Sequence, residues 1–406
     1  MDDGYRRGRK RRWIAFGVVL ALAGSVVGAI AYNKAVPVAT ATQSMSRTYS
    51  ATADVLLPWP QQGEAALAVD GVDAIQATPK AKPLPIASIA KVMTAFVVLE
   101  ARPLAAGQQG PSITVDNVAI NDYNARLANG ESTLPVMPGE KLTEYQALQG
   151  LLLPSGNNAA ALLARWVAGS EAAFAQHMNA TAKKLGMTNT FFQDSSGVSP
   201  QTVSTPTDLA RLAKAAMANP VLAGIVAQPE ATVPVAGSIT NIDTELGTDG
   251  IIGVKTGSFP NPAVANFMFA GRELTPWGST VTVYGAVLGQ ASLNAAFAAT
   301  EALVTAAPTA LSHPRVASRG EVVGHYTTDW GSSVPVIAAT DLYGVVWRDG
   351  HLPVRLQVRP LKAPMPAGSV VGRLAAGDGQ GAATVPVRLS SALEGPNFAW
   401  RLFRKP

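Results

Sequence analysis

The sequence predicts an α+β fold: a five-stranded antiparallel sheet flanked by helices with a helical subdomain, plus a small C-terminal all-β domain and an N-terminal transmembrane helix. Three observations carry this. Short apolar runs suited to strands stand at both ends of residues 53–312, with mainly helical text between them. Beyond residues 308–314 the pattern turns into short apolar segments separated by turns. Near the start, residues 13–31 form an uncharged apolar run long enough to cross a bilayer.

Taken in order, residues 1–12 hold Arg6, Arg7, Arg9, Lys10, Arg11 and Arg12 against Asp2 and Asp3. That tail carries +4 of the chain's formal net charge of +5, so nucleic-acid binding by the remainder has no support. Cations ahead of an apolar run predict a cytoplasmic tail, a single membrane crossing at residues 13–32 and an exported body. The run spans roughly 28 Å. A cleaved signal peptide is the competing reading, with Ala29-Ile30-Ala31 and Ala39-Thr40-Ala41 as small-x-small sites, but the length of the run favours a retained anchor. Residues 33–52, rich in Ala, Thr, Ser and Val without periodicity, read as a linker.

In the main domain, residues 53–312, segments 65–69 and 74–78 around Asp70-Gly71 read as a hairpin. Helices are predicted over 92–99, 145–153, 159–167, 171–185 and 207–218, the last capped by Thr207 or Asp208. Segments 251–256, 265–272 and 280–288 read as strands and 293–305 as a helix. The β-rich domain, 313–406, offers strands at 334–338, 343–347, 354–358, 370–374 and 383–389, with turns at Asp349-Gly350 and Gly377-Asp378-Gly379. There is no cysteine, which excludes disulfides, thiol nucleophiles and Cys-ligated metals.

Three clusters carry chemistry. Ser88 and Lys91 lie three apart at a helix start, on one face, where a lysine kept neutral can take the serine proton. Apolar flanks and a second cation, Lys255, both push the Lys91 amine toward neutrality. Ser155-Gly156-Asn157 lies between two helices and offers a hydroxyl and a carboxamide for proton relay and amide binding. Lys255-Thr256-Gly257-Ser258 closes a strand with a cation and hydroxyls suited to a carboxylate, and Gly257 leaves room for a substrate backbone. Each triplet alone is an ordinary pattern; their order and placement make the joint signal strong.

Together these motifs resemble the penicillin-recognising (β-lactamase-like) serine acyl-enzyme families, and most of all the low-molecular-mass penicillin-binding D-alanyl-D-alanine carboxypeptidases. Segments Leu151-Leu-Leu-Pro-Ser-Gly-Asn-Asn-Ala-Ala160, Leu185-Gly-Met-Thr-Asn-Thr-Phe191, Asp249-Gly-Ile-Ile-Gly-Val-Lys-Thr-Gly257 and a β-rich tail ending in Phe398-Ala-Trp-Arg-Leu-Phe403 add to the likeness. The resemblance implies a serine carboxypeptidase acting on peptidoglycan stem peptides and inhibited by β-lactams, needing no cofactor. By the family pattern Ser88 attacks, Lys91 takes its proton, Ser155 relays a proton to the leaving amine and Asn157 holds the substrate amide. Lys255 and Thr256 grip the terminal carboxylate, and the N–H groups of Ser88 and Ser258 form the oxyanion hole beside Gly257.

Two departures stand out. Thr282 occupies the position read as that of a carboxylate-binding arginine, with Arg272 the nearest substitute, and Ser258 follows Lys-Thr-Gly where other side chains are common. The chain also stops at Pro406 without the amphipathic anchoring helix of many relatives. A Ser-His-Asp hydrolase is disfavoured, because none of His177, His313, His325 and His351 stands near a glycine-elbow serine, and no H-x-H or H-E-x-x-H spacing suggests a metal. A β-lactamase-like hydrolase needs a deacylating glutamate, and Glu131 and Glu140 precede Ser155, the wrong place for it. A D,D-endopeptidase and a catalytically weak peptidoglycan- or partner-binding module complete the alternatives.

Overall fold

The computed structural model describes residues 3–46, 48–51, 54, 56–72, 74–260, 263–377 and 382–404. The chain divides into two compact units, one of residues 51–313 with 345–350, the other of 1–50, 314–344 and 351–406.

The larger unit is built on a five-stranded antiparallel sheet in the order Ile251–Pro260, Ala263–Leu274, Thr280–Gln290, Glu64–Val69, Gln76–Ala77. Early and late segments thus meet in one sheet, as the two-ended strand pattern predicts. Both faces are buried, and alternation sorts the side chains. Phe267 and Phe269 pack with Leu303 and Val304 of the helix Leu293–Ala306, while Met268 and Ala270 face the helical core with Leu209 and Leu212 of the helix Pro206–Met217. Trp347, fully buried, joins the first of these faces and donates its indole N–H to the Ala74 carbonyl at 2.7 Å, which ties residues 345–350 to this unit.

The helical part comprises Ala90–Ala101, Asn117–Ala128, Glu144–Leu152, Asn157–Ala168, Glu171–Lys184, Pro206–Met217 and Pro220–Val226. The helix Asn117–Ala128 had no apolar stripe to announce it; only Ala119 is buried, and the Asp116 side chain caps it. The cap of Pro206–Met217 is Thr205, with Pro206 in the first turn, not Thr207 or Asp208. Asp208 instead accepts from the Asn189 N–H, the Thr190 hydroxyl and Arg211.

The second unit holds a seven-stranded sheet ordered Thr40–Gln43, Val322–Thr327, Ser333–Ala338, Ala383–Leu389, Val370–Ala376, His351–Val358, Thr48–Ser50. The segment read as a linker therefore supplies both edge strands, and Ala39 pairs with Leu361 beside one of them. Such short edge strands bury little, so they leave no apolar signature. The single strand expected over 343–347 is two pieces: Leu342–Tyr343 pairs with Arg315–Ala317, whereas Val346–Trp347 pairs with Leu311–Ser312 in the larger unit. Of the turn expected at Gly377-Asp378-Gly379, Asp378 and Gly379 lie outside the described residues.

In this second unit the helix Asp3–Asn33 contains Arg12–Asn33, 22 residues long and apolar enough to cross a membrane. The β-rich tail closes with a short helix, Phe398–Phe403, against the end of that long helix. The Tyr32 and Phe398 rings lie 5.8 Å apart, and the Arg404 guanidinium donates to the Ala35 carbonyl at 2.9 Å. The charge is unevenly shared: this unit holds 18 Lys and Arg against 7 Asp and Glu, the larger one 14 against 20. The near-neutral remainder read from the sequence is thus the sum of two unlike parts.

Candidate active site

Ser88 sits in a 3-10 turn, Ala87–Ile89, that runs directly into the helix Ala90–Ala101. Its Oγ lies 2.8 Å from Lys91 Nζ, as the three-residue spacing requires. Ala87 has φ of +50°, a left-handed conformation that costs an alanine on the order of 1 kcal/mol and is held by its surroundings. Those surroundings are specific. Pro85 pairs with Val203, the Ile86 N–H donates to the Thr202 carbonyl, and Asn266 Nδ2 donates to the Pro85 carbonyl at 3.1 Å. Gly197 lies so close to the Ala87 carbonyl that a Cβ there would overlap it, so the loop after Asp194 is moulded onto the serine turn.

Lys91 is fully buried, and its Nζ also donates to the Ser196 carbonyl at 3.0 Å. Its pKa is held well below the ordinary lysine range, first by burial and then by the Lys255 cation; Asp194 opposes this, Arg126 adds to it and Glu131 opposes it. Burial works to raise the Asp194 pKa, but hydrogen bonds from the Ser199, Ser196 and Gly197 N–H groups and the Ser196 hydroxyl hold its carboxyl below the usual range. Thr94 donates to the Ser195 carbonyl at 2.6 Å and fixes the loop from the other side.

Lys255 lies on the sheet's edge strand, 2% exposed, with Nζ donating to the Thr256 carbonyl at 3.2 Å. Burial lowers its pKa to about 8, and the nearby Asp243 carboxylate works against this. Asp243 is itself pushed up to about 6 by burial. Gly257 also makes room within the protein itself. A Cβ there would lie 2.6 Å from the Ile86 carbonyl and 3.1 Å from the Ser88 nitrogen, so the glycine admits the serine turn itself. The same close approach brings the backbone nitrogen of Ser88 beside the strand that carries Ser258.

Ser155 carries the backbone strain of the second motif, with φ of +64°. Gly156 has an ordinary φ of −62°, and its missing Cβ makes room for the Gly150 carbonyl and Leu134. The Ser155 hydroxyl is buried without a hydrogen-bond partner, as is Asn157 Oδ1. Unpaired buried polar atoms are costly, and the second motif contributes these two. Asn157 opens the helix Asn157–Ala168; its N–H donates to the Ser132 carbonyl and its Nδ2 to Glu131 Oε2 at 2.7 Å.

The structure therefore brings Ser88, Lys91 and the Lys255–Gly257 strand together, while Asn157 bonds to Glu131, whose charge raises the Lys91 pKa. Thr282 does not belong here. Lys255 pairs with Met268, whereas Arg272 and Thr282 face each other four residues further along, about 13 Å away. The residue that the sheet brings to the Ser258 end, through Ala265, is the buried Gln290. Sequence reading weighed Glu131 only as a deacylating base and missed Asp194, Ser196, Asp243 and Asn266, single polar residues that no local pattern marks.

Residues 64–272, just over half of the chain, match the Peptidase S11 family, described as D-alanyl-D-alanine carboxypeptidase. A D-alanyl-D-alanine carboxypeptidase of Streptomyces sp. (strain K15) is 36% identical over 225 residues, 51% of this chain and 73% of that protein. DacB2 of Mycobacterium tuberculosis, also a D-alanyl-D-alanine carboxypeptidase, is 39% identical over 201 residues, 47% of this chain and 64% of that protein. In fold, the chain is similar to penicillin binding protein 5 from Haemophilus influenzae, with a TM-score of 0.60 at 19% identity over 84% of this chain and 100% of that one. The extent of these matches, over the segment that carries Ser88, Asn157 and Lys255, means that the chain belongs to the Peptidase S11 family of D-alanyl-D-alanine carboxypeptidases.

Proposed function

We propose that the chain removes the terminal D-alanine from peptidoglycan stem pentapeptides through an acyl-enzyme on Ser88, and that penicillins acylate the same serine. The observation that carries this is the 2.8 Å contact between Ser88 Oγ and a fully buried Lys91 whose pKa is driven down. A neutral amine at that distance takes the serine proton as Oγ attacks the carbonyl between the two D-alanines. The N–H groups of Ser88 and Ser258 receive the developing oxyanion. Ser155 passes a proton to the leaving D-alanine amine, after which water attacks the ester and frees Ser88. Lys255, with Thr256, holds the substrate carboxylate, and Asn157 holds an amide of the stem peptide. The endopeptidase, β-lactamase-like and binding-module readings have no observation of their own among the described residues.

The helix spanning Arg12–Asn33 serves as a single membrane anchor in this reading, with the cationic residues before it in the cytoplasm and the catalytic unit outside.

Incubating the soluble body with a stem pentapeptide should release D-alanine and leave the tetrapeptide by mass spectrometry; an untouched pentapeptide defeats the proposal. The pH dependence of kcat/KM should be bell-shaped. Activity rises with pH as Lys91 loses its proton and falls above about pH 8 as Lys255 loses the charge that holds the carboxylate. Lys255→Arg keeps its charge throughout the assay range, so the alkaline limb should disappear in that variant. A limb that survives unchanged assigns it to another group.

A further inference from the structure

A second polar network, outside the three motifs, leads into the site. Arg126, in the last turn of Asn117–Ala128 and largely buried, binds three carboxylates: Asp122 at 2.9 Å, Glu131 at 3.1 Å and Glu171 at 3.4 Å. Two of these continue inward. Glu131 Oε2 also accepts the Asn157 amide N–H at 2.7 Å. Glu171 Oε2 accepts the Ser195 hydroxyl at 3.0 Å, and the carbonyl of the next residue, Ser196, holds Lys91.

Glu131 is itself well anchored. The Ser132 carbonyl accepts the Asn157 N–H, and the Leu134 backbone makes two hydrogen bonds with the Asn158 carboxamide, at 2.8 and 2.9 Å. An ionised carboxylate only accepts hydrogen bonds, so it fixes which way the Asn157 amide turns. The NH2 group points to Glu131, and Oδ1, buried and unpartnered, is the end left for a bound molecule.

We propose that Glu131 and Arg126 are positioning residues: Glu131 sets Asn157 to offer its carbonyl oxygen to an N–H of the bound peptide, and Arg126 ties that carboxamide to the loop that holds Lys91. The inference rests on the acyl-enzyme reading of Ser88. Only a planar fork of several donors serves three carboxylates in this way, so a lysine at position 126 is no substitute.

The charges acting on Lys91 come from Lys255 on the edge strand, Asp194 in the serine loop, and Arg126 and Glu131 in this network. Arg126 lowers its pKa and Glu131 raises it. Removing either charge should therefore move the acid limb of the pH profile, and in opposite directions. Loss of packing alone gives no such pattern.

The test is the rate of Ser88 acylation by a fluorescent penicillin, and kcat/KM on a stem pentapeptide, both against pH, for the parent, Glu131→Gln, Glu131→Ala and Arg126→Gln. Glu131→Ala and Arg126→Gln should lose on the order of tenfold to a hundredfold in kcat/KM, the scale of a displaced binding group. The acid limb should shift to lower pH in Glu131→Gln and to higher pH in Arg126→Gln. Glu131→Gln is nearly isosteric and keeps the limb measurable if the alanine variant folds poorly. Folded variants with parental rates and an unmoved acid limb overturn the inference. A parent protein that takes no label overturns the acyl-enzyme reading and this inference with it.

Discussion

Ser88→Ala is expected to abolish D-alanine release and penicillin labelling, with a loss on the order of 10⁵-fold or more, the scale of removing a serine nucleophile. Ser88 stands in a turn whose shape comes from elsewhere: Gly197 and Gly257 close around its backbone, and Asn266 holds Pro85. Removing one hydroxyl leaves those contacts in place, so the variant should fold as the parent does. Its Tm should stay within a few degrees. Residual D-alanine release near the parental rate from a folded Ser88→Ala protein is incompatible with the proposed role.

Lys91→Met should cost about 10² to 10⁴ in the rate of acylation, the usual share of a positioned general base, while Tm stays level or rises. The two effects have one cause. A buried lysine with a lowered pKa is a burden on folding: below the ordinary lysine pKa the unfolded chain takes up a proton that the native amine refuses. The parent's stability should therefore rise with pH from the lowered Lys91 pKa up to the ordinary lysine value, and Lys91→Met should flatten that dependence. Methionine is of similar length, and the unpaired Ser196 carbonyl offsets only part of the gain. Lower stability with intact acylation in this variant would contradict the assignment of Lys91 as base.

What the sequence made legible was what lies close together in the chain or repeats with a period. Ser88 and Lys91 fall on one helical face through spacing alone, and Ser155 and Asn157 share one loop. The apolar strand runs of the larger unit declare themselves because both faces of that sheet are buried. The rest depends on register and on distant partners. Thr282 was mistaken for a site position because the strands run antiparallel: the start of Thr280–Gln290, where Thr282 faces Arg272, lies at the far end of the sheet from Ser258, and the strand's last residue, Gln290, is the one brought to that end through Ala265. Arg126, Glu131 and Asp194 sit in helices or loops of ordinary polarity, and their meaning comes from partners met only in three dimensions. The edge strands Thr40–Gln43 and Thr48–Ser50 were invisible for the opposite reason: they pair through backbone and bury almost nothing.

The proposed chemistry is tested most directly by the intact mass of the protein after exposure to benzylpenicillin, followed by peptide mapping. The account predicts a single acyl adduct, carried by the peptide that contains Ser88 and absent when Lys91 is replaced by methionine over the same brief exposure. No adduct on the folded parent, or an adduct on any other residue, would contradict it.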